Sequence, residues 1–205
     1  MIRATLTALA LMSTAAFAQD GGLYQDVPDP DAAFLRVIGA DLTAATVNGK
    51  TLEGLDTGIS PYVVITDAGD ITVDAGAESS TATVSPATFH TLLIAQDGTR
   101  SLVTDPLTLS PAQADVTFYN LSDRPSVDLF VPAAKAKAIE GLAPNTGGAV
   151  ALKAPLTLDF EARDGDSVLA SATGIALERR QGVALLLRGS DGNYELVTAP
   201  NAIAD

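Results

Sequence analysis

The stretch QDGTRSLVTDP, residues 96–106, returns 94 positions later as SDGNYELVTAP, residues 190–200. Both copies carry Asp-Gly at the second and third places, Leu-Val-Thr at the seventh to ninth, and Pro at the eleventh. An apolar run precedes each one: Leu92-Leu93 in the first, Leu186-Leu187 in the second. Asp-Gly between two apolar runs accepts positive φ at little cost and joins antiparallel strands in a hairpin. Pro106 and Pro200 lack an N–H and end further pairing. The repeated sentence therefore predicts a closing hairpin used once in each of two duplicated units.

Other marks recur with drifting spacing. EGL occurs at Glu53–Leu55 and at Glu140–Leu142; FLRVIGA (residues 34–40) opens the first half and DVTFYNL (residues 115–121) the second. Such drift fits loop insertions between duplicated strands, because surface loops tolerate added length. Most of the remaining chain alternates apolar and polar residues in short runs: ATVNGKTL with an Asn-Gly turn, YVVIT, ITVDA, SVDLFV, PLTLDFEA and SVLASAT. Short strands between frequent turn signals predict an all-β protein of two tandem Ig-like antiparallel β-sandwich domains joined by a short linker. The expected divisions are a signal peptide at 1–18, an extended arm at 19–32, a first domain at 33–108, a linker at 109–114, a second domain at 115–200 and a tail at 201–205. PAAKAKAIEGL (residues 132–142) is the best helix candidate. It reads equally as a loop and strand because it contains the recurring EGL.

The first 18 residues combine Arg3, an apolar run from Ala4 to Leu11 and an Ala16-Phe17-Ala18 cleavage site. This is the pattern of a secretory signal peptide cleaved after Ala18, which predicts export and, in a Gram-negative cell, a periplasmic protein. No later stretch reaches the roughly 18 apolar residues of a membrane-spanning helix, so direct membrane insertion is not expected. The chain has no Cys, so no disulfide supports it. Formal net charge is −13; residues 19–111 hold 3 basic and 13 acidic side chains, residues 112–205 hold 8 and 12. A field of that sign repels nucleic acid and anionic lipid, and leaves the second half as the better place for an anionic polysaccharide to touch.

Candidate chemistry is sparse. Gly165-Asp166-Ser167 resembles a hydrolase nucleophile stretch, but that chemistry needs a His to take the serine proton. His90, the one His, falls in the other domain, and residues 163–166 read as a hairpin turn. His90 alone makes no zinc site. Asp26, Asp29 and Asp31 have a spacing open to calcium, but Pro28 and Pro30 favour an extended solvated arm. No phosphate loop or dinucleotide fingerprint is present, and no cofactor is expected. The candidate interaction residues are Tyr24 and Arg36 near the start, and Arg124, Lys135, Lys137, Arg179 and Arg180 in the second half. An exposed Tyr24 suits an anchor, although packing into its own domain as a hydrophobic lid is the favoured reading; Arg matches carboxylates bidentately. With no Trp and few aromatic residues, a sugar-stacking platform is poorly supported.

GGLYQDVPDPDAAFLRVIGA (residues 21–40) resembles the opening of the mature AlgF family of alginate O-acetylation proteins. The likeness rests on Gly22-Leu23-Tyr24, Pro28 and Pro30, Ala33-Phe34 and Arg36-Val37. VTFYNLSDRPSVDL (residues 116–129) is similar to that family's second-domain opening, whereas Gly39-Ala40 departs from the Asn usual after its first strand. The resemblance implies two tandem β-sandwiches and a non-catalytic periplasmic adaptor for O-acetylation of alginate or a similar exopolysaccharide. It also implies periplasmic acetyltransferases and a membrane acyl-transfer protein as partners. The alternative reading is a carbohydrate-binding or cell-surface adhesion module, because fold alone does not decide function.

Overall fold

The computed structural model describes residues 29–204, so the expected signal peptide, Tyr24 and Asp26 lie outside the described residues. The first half forms eight strands: β1 (Ala33–Gly39), β2 (Ala44–Val47), β3 (Lys50–Glu53), β4 (Val63–Ile65), β5 (Gly69–Ala75), β6 (Glu78–Val84), β7 (Phe89–Ile94) and β8 (Arg100–Asp105). Eight more follow: β9 (Gln113–Ser122), β10 (Val127–Val131), β11 (Ala136–Leu142), β12 (Thr146–Lys153), β13 (Leu156–Asp164), β14 (Ser167–Leu177), β15 (Val183–Ser190) and β16 (Asn193–Pro200).

The duplication holds strand for strand. The first half has sheets ordered β4-β1-β7-β8 and β3-β2-β5-β6; the second has β12-β9-β15-β16 and β11-β10-β13-β14. Adding eight to each strand number turns the first pair of sheets into the second. The two copies of the repeated sentence are the hairpins β7–β8 and β15–β16, with Gly98 at φ 83° and Gly192 at φ 86° in the turns. The two EGL marks end the equivalent strands β3 and β11, with Gly54 and Gly141 at φ 67° and 65°. The helix candidate at 132–142 is accordingly a turn followed by β11. Lys135 at φ 50° breaks any helical run there.

One pairing in each sandwich departs from the antiparallel expectation. β1 runs parallel to β7, and β9 runs parallel to β15. Between these partners the chain crosses to the facing sheet and returns, and a crossover of that kind is what parallel neighbours need.

Each sandwich has its own apolar interior. Leu35, Val37, Val47, Ile65 and Val73 belong to the first, and Phe118, Leu129, Phe160, Leu185 and Leu187 to the second. β5 shows the half-buried alternation of a strand with one wet face, with Ile71, Val73 and Ala75 turned inward. β1 and β9 are buried on both faces instead. The outward residues Ile38 and Leu93 of the first sandwich and Tyr119, Leu121, Ala184 and Leu186 of the second form a third cluster between the two units. A continuous apolar run is the pattern of a strand covered on both sides. β9 begins at Gln113, within the stretch expected to be linker. The C-terminal residues expected as a tail return to the first unit, where Tyr62 N–H donates to Ala202 O and Ala204 N–H to Tyr62 O.

Candidate functional site

Arg36 sits on the outward face of β1, between Leu35 and Val37, which point into the first core. Strand alternation aims its side chain at the second sandwich. It is 0% exposed, which corrects the expectation of a surface contact. Nε donates to Thr91 Oγ1 at 2.9 Å and Nη1 to Asn201 Oδ1 at 2.7 Å. Nη2 donates to Thr117 Oγ1 at 3.0 Å and to the Tyr119 hydroxyl at 2.5 Å. The guanidinium also lies 4.3 Å from the ring centre of Tyr62 and 5.1 Å from that of Tyr119.

The balancing carboxylate is Asp105, at the end of β8 and 4% exposed. Its Oδ2 accepts from the Tyr62 hydroxyl at 2.8 Å and from Thr91 Oγ1 at 2.5 Å; Oδ1 accepts from the Tyr119 hydroxyl at 2.5 Å. Thr91 and Tyr119 thus each accept from Arg36 and donate to Asp105. Burial works to lower the Arg36 pKa, but the value is raised on balance and the guanidinium stays charged, with the Asp105 carboxylate as its opposite charge and the Tyr119 hydroxyl as a hydrogen-bond acceptor. Burial pushes the Tyr119 phenol up to about 12 and raises that of Tyr62 as well, so both hydroxyls keep the protons they donate. Two buried opposite charges persist only when their hydrogen bonds are satisfied, and here Thr91 and Tyr119 bridge them. Nothing in the local sequence marks Thr91, Asp105, Thr117, Tyr119 or Asn201 for this role. Each is a lone polar group at a position that reads as solvent-facing.

The other candidates are scattered. Arg124 donates to the Tyr194 hydroxyl at 2.6 Å and lies within 4 Å of Asp123 and Asp164. Lys137 pairs with Asp128 at 2.9 Å, and that hydrogen bond raises the lysine pKa. Lys135 is exposed on the turn between β10 and β11. Arg179 and Arg180 are exposed after β14, where Arg179 Nε donates to Ala154 O at 3.0 Å. Ser167 is exposed at the start of β14, opposite Asp164 across a turn with Gly165 at φ 59°. His90 belongs to β7 of the first sandwich and is 5% exposed. Its Nε2 accepts the Ser85 N–H at 3.1 Å, with Thr88 and Thr104 hydroxyls beside the ring. Asp29 Oδ1 accepts the Asp31 N–H at 2.9 Å, closing a turn at the start of the described chain.

At one end of the seam the two units and the connection between them enclose a groove of about 330 Å³. Tyr62 and Phe89 line it from the first sandwich, Leu107, Leu109 and Pro111 from the connection, and Arg180 and Ile203 from the second half. Asp115 also lines it, but its carboxylate is occupied: it accepts the N–H groups of Thr108 and Leu109 at 3.0 and 2.9 Å.

Comparison with known proteins gives the family. The family model described as Alginate O-acetyl transferase AlgF matches residues 6–184. The alginate biosynthesis protein AlgF of Pseudomonas syringae pv. tomato is 26% identical over 199 residues, covering 96% of this chain and 88% of that protein. AlgF of Pseudomonas putida is also 26% identical, covering 96% and 92%. AlgF of Pseudomonas fluorescens is 24% identical, covering 92% and 87%. A solved C-terminal domain of AlgF from P. aeruginosa is 22% identical and covers 43% of this chain and 98% of that one, with a TM-score of 0.39. On the strength of the family match along most of its length, the chain belongs to the AlgF family of alginate O-acetylation proteins.

Proposed function

We propose that this protein is a non-catalytic periplasmic adaptor for O-acetylation of alginate or a similar exopolysaccharide, holding acetyl-transfer proteins together. The observation that carries this reading is the use made of the buried polar side chains. Arg36, Asp105, Tyr62 and Tyr119 are bound to one another across the seam. Among the described residues no buried side-chain nitrogen or oxygen lacks a partner. That chemistry stiffens a two-domain body rather than aiming a reactive group at a substrate. Ser167 and His90, the residues that an acyl-transfer mechanism would require together, lie on different sandwiches, and His90 Nε2 is taken by the Ser85 N–H. Family membership supports the acetylation setting, and the amino-terminal signal pattern supports the periplasm. The partners that fit are a periplasmic acetyltransferase and a membrane acyl-transfer protein.

Deleting the gene in its host should abolish or sharply reduce O-acetyl groups on the exported polymer, measured by NMR of the purified polysaccharide. Re-expression with Ser167→Ala should restore them. Unchanged acetylation in the deletion strain rejects the acetylation role. Failure of a folded Ser167→Ala protein to complement rejects the non-catalytic part.

A further inference from the structure

We infer that the seam groove binds an extended peptide segment of a partner protein, with an apolar side chain in the groove and flanking carboxylates at Arg180, Arg179 and Lys153. This deepens the adaptor reading and rests on it.

Three observations converge. Leu109 and Ile203, two of the few exposed large apolar residues, both line this groove, at 63% and 47% exposure. Contiguous exposed apolar surface in a soluble protein marks an interaction site more often than a lone exposed side chain does. The groove's rim is also cationic in a chain of net charge −13. Arg180 lines it, and the Arg180 N–H donates to Gln113 O, another lining residue. Gln113 is the register partner of Lys153, and Arg179 is tied to Ala154 next to it. All three cations are exposed, and among the described residues none forms an ion pair with a carboxylate. Arg100, Arg124, Lys137, Arg163 and Arg188 each have at least one. The nearby Glu178 carboxylate accepts from the Gln181 amide at 2.8 Å. Charge complementarity therefore selects an anionic ligand, and rim charges of this kind set partner choice and association rate.

The groove's walls select a peptide over a sugar. Leu107, Leu109, Pro111 and Ile203 offer no side-chain donors to hydroxyl groups, and the three side-chain amides in the lining are already engaged: Gln113 donates to Ala151 O, Gln181 to Glu178 and Asn201 to Asp115 O. The aromatic side chains are already engaged. Tyr62 is 1% exposed, and Phe89 stacks on Phe34 at 4.2 Å and meets Tyr62 edge-on at 5.1 Å. Tyr62 therefore offers no ring face to a pyranose, and half-buried Phe89 has one face taken by Phe34. An aliphatic side chain flanked by acids matches both the walls and the rim.

The test uses the mature chain immobilised as bait for a phage-displayed dodecapeptide library. Selected peptides should carry an apolar residue flanked by Asp or Glu. They should shift the amide resonances of Leu107, Leu109 and Ile203, and lose at least tenfold in affinity against Arg180→Asp and against Leu109→Asp. Arg180 and Leu109 have φ values of 62° and 51°, a conformation Asp tolerates, so both variants should fold. Lys135→Asp, at φ 50° on a turn outside the groove, should bind as wild type does. No acidic consensus, binding indifferent to both groove variants, or displacement by a uronate hexamer that itself binds more tightly overturns the proposal. The adaptor reading fails separately, through the deletion strain. If deletion removes acetylation while Arg180→Asp and Leu109→Asp both restore it fully, the adaptor stands and the groove's role falls.

Discussion

Arg36 of β1 and Tyr119 of β9, 83 positions apart, share a 2.5 Å hydrogen bond across the seam between the two sandwiches. A cation of one domain is closed over by a phenol of the other, and Asp105 completes the charge balance through that same phenol. The duplicated units are thus coupled by polar bonds as well as by the apolar cluster around Ile38, Leu93 and Leu186. The short connection between β8 and β9 limits their separation, but the seam sets their relative orientation.

Replacing Arg36 with Met should destabilise the protein by about 3–5 kcal/mol, because Asp105 is left buried without its counter-charge. Urea denaturation followed by circular dichroism measures it. The double change Arg36→Met with Asp105→Asn should cost less than the two single changes added together, because the residues share one network. Strict additivity would show that the groups act independently.

Gly147 on β12 pairs with Tyr119 on β9, and a Cβ at Gly147 would overlap the Tyr119 ring. Gly147→Ala should therefore displace that ring, weakening the seam by about 1–3 kcal/mol. Adding Tyr119→Leu should remove most of the penalty for the alanine, since the overlapped ring is gone. The readout is the thermal midpoint of the single and double variants.

His90 is held below its ordinary pKa of 6.5, chiefly by burial, which disfavours the imidazolium. The unfolded chain therefore takes up a proton at higher pH than the folded one. The associated stability is present above pH 6.5 and is lost as pH falls through the lower folded value. His90→Gln should flatten that part of the stability–pH curve. An unchanged slope in denaturation midpoints between pH 7 and pH 5 would contradict the assignment.

Asp123 is held below 3.8, first by the Tyr194 hydroxyl, which donates to its Oδ1 at 2.6 Å, and then by the Asp191 N–H. Tyr194→Phe should move the Asp123 pKa up toward its ordinary value, read by carboxyl-carbon NMR titration. The depressed carboxylate contributes stability above its ordinary value that disappears as pH falls through the folded value, so the variant should show a smaller acid-side loss. Tyr194 also binds Arg124, and the Arg124 guanidinium lies 5.1 Å from its ring centre. The change should therefore also loosen the Arg124 side chain.

Much of the architecture was legible because its signals are local. Asp97-Gly98 and Asp191-Gly192 are turn dipeptides wherever they occur between apolar runs, and both mark real hairpins. ITVDA alternates because one face of β5 is wet. β6 and β12 were harder to read. ESSTATV is polar at most positions, and TGGAVALK carries two glycines where Gly147 must admit the Tyr119 ring. The candidate site was the least legible part. Arg36 resembles any surface arginine in a strand, and its burial depends on a second sheet closing over it.

Composition, turn dipeptides and internal repetition determine by themselves that this chain forms two copies of one β unit, because hairpins and strand alternation are settled by neighbours a few residues apart. Only the tertiary structure decides that β1 runs beside β7 and β9 beside β15, and that Arg36 is enclosed rather than exposed. The partners of Arg36 lie 55, 81, 83 and 165 positions away. A charge with bonding partners that distant has an environment set by how two sheets stack, and no local pattern encodes that stacking.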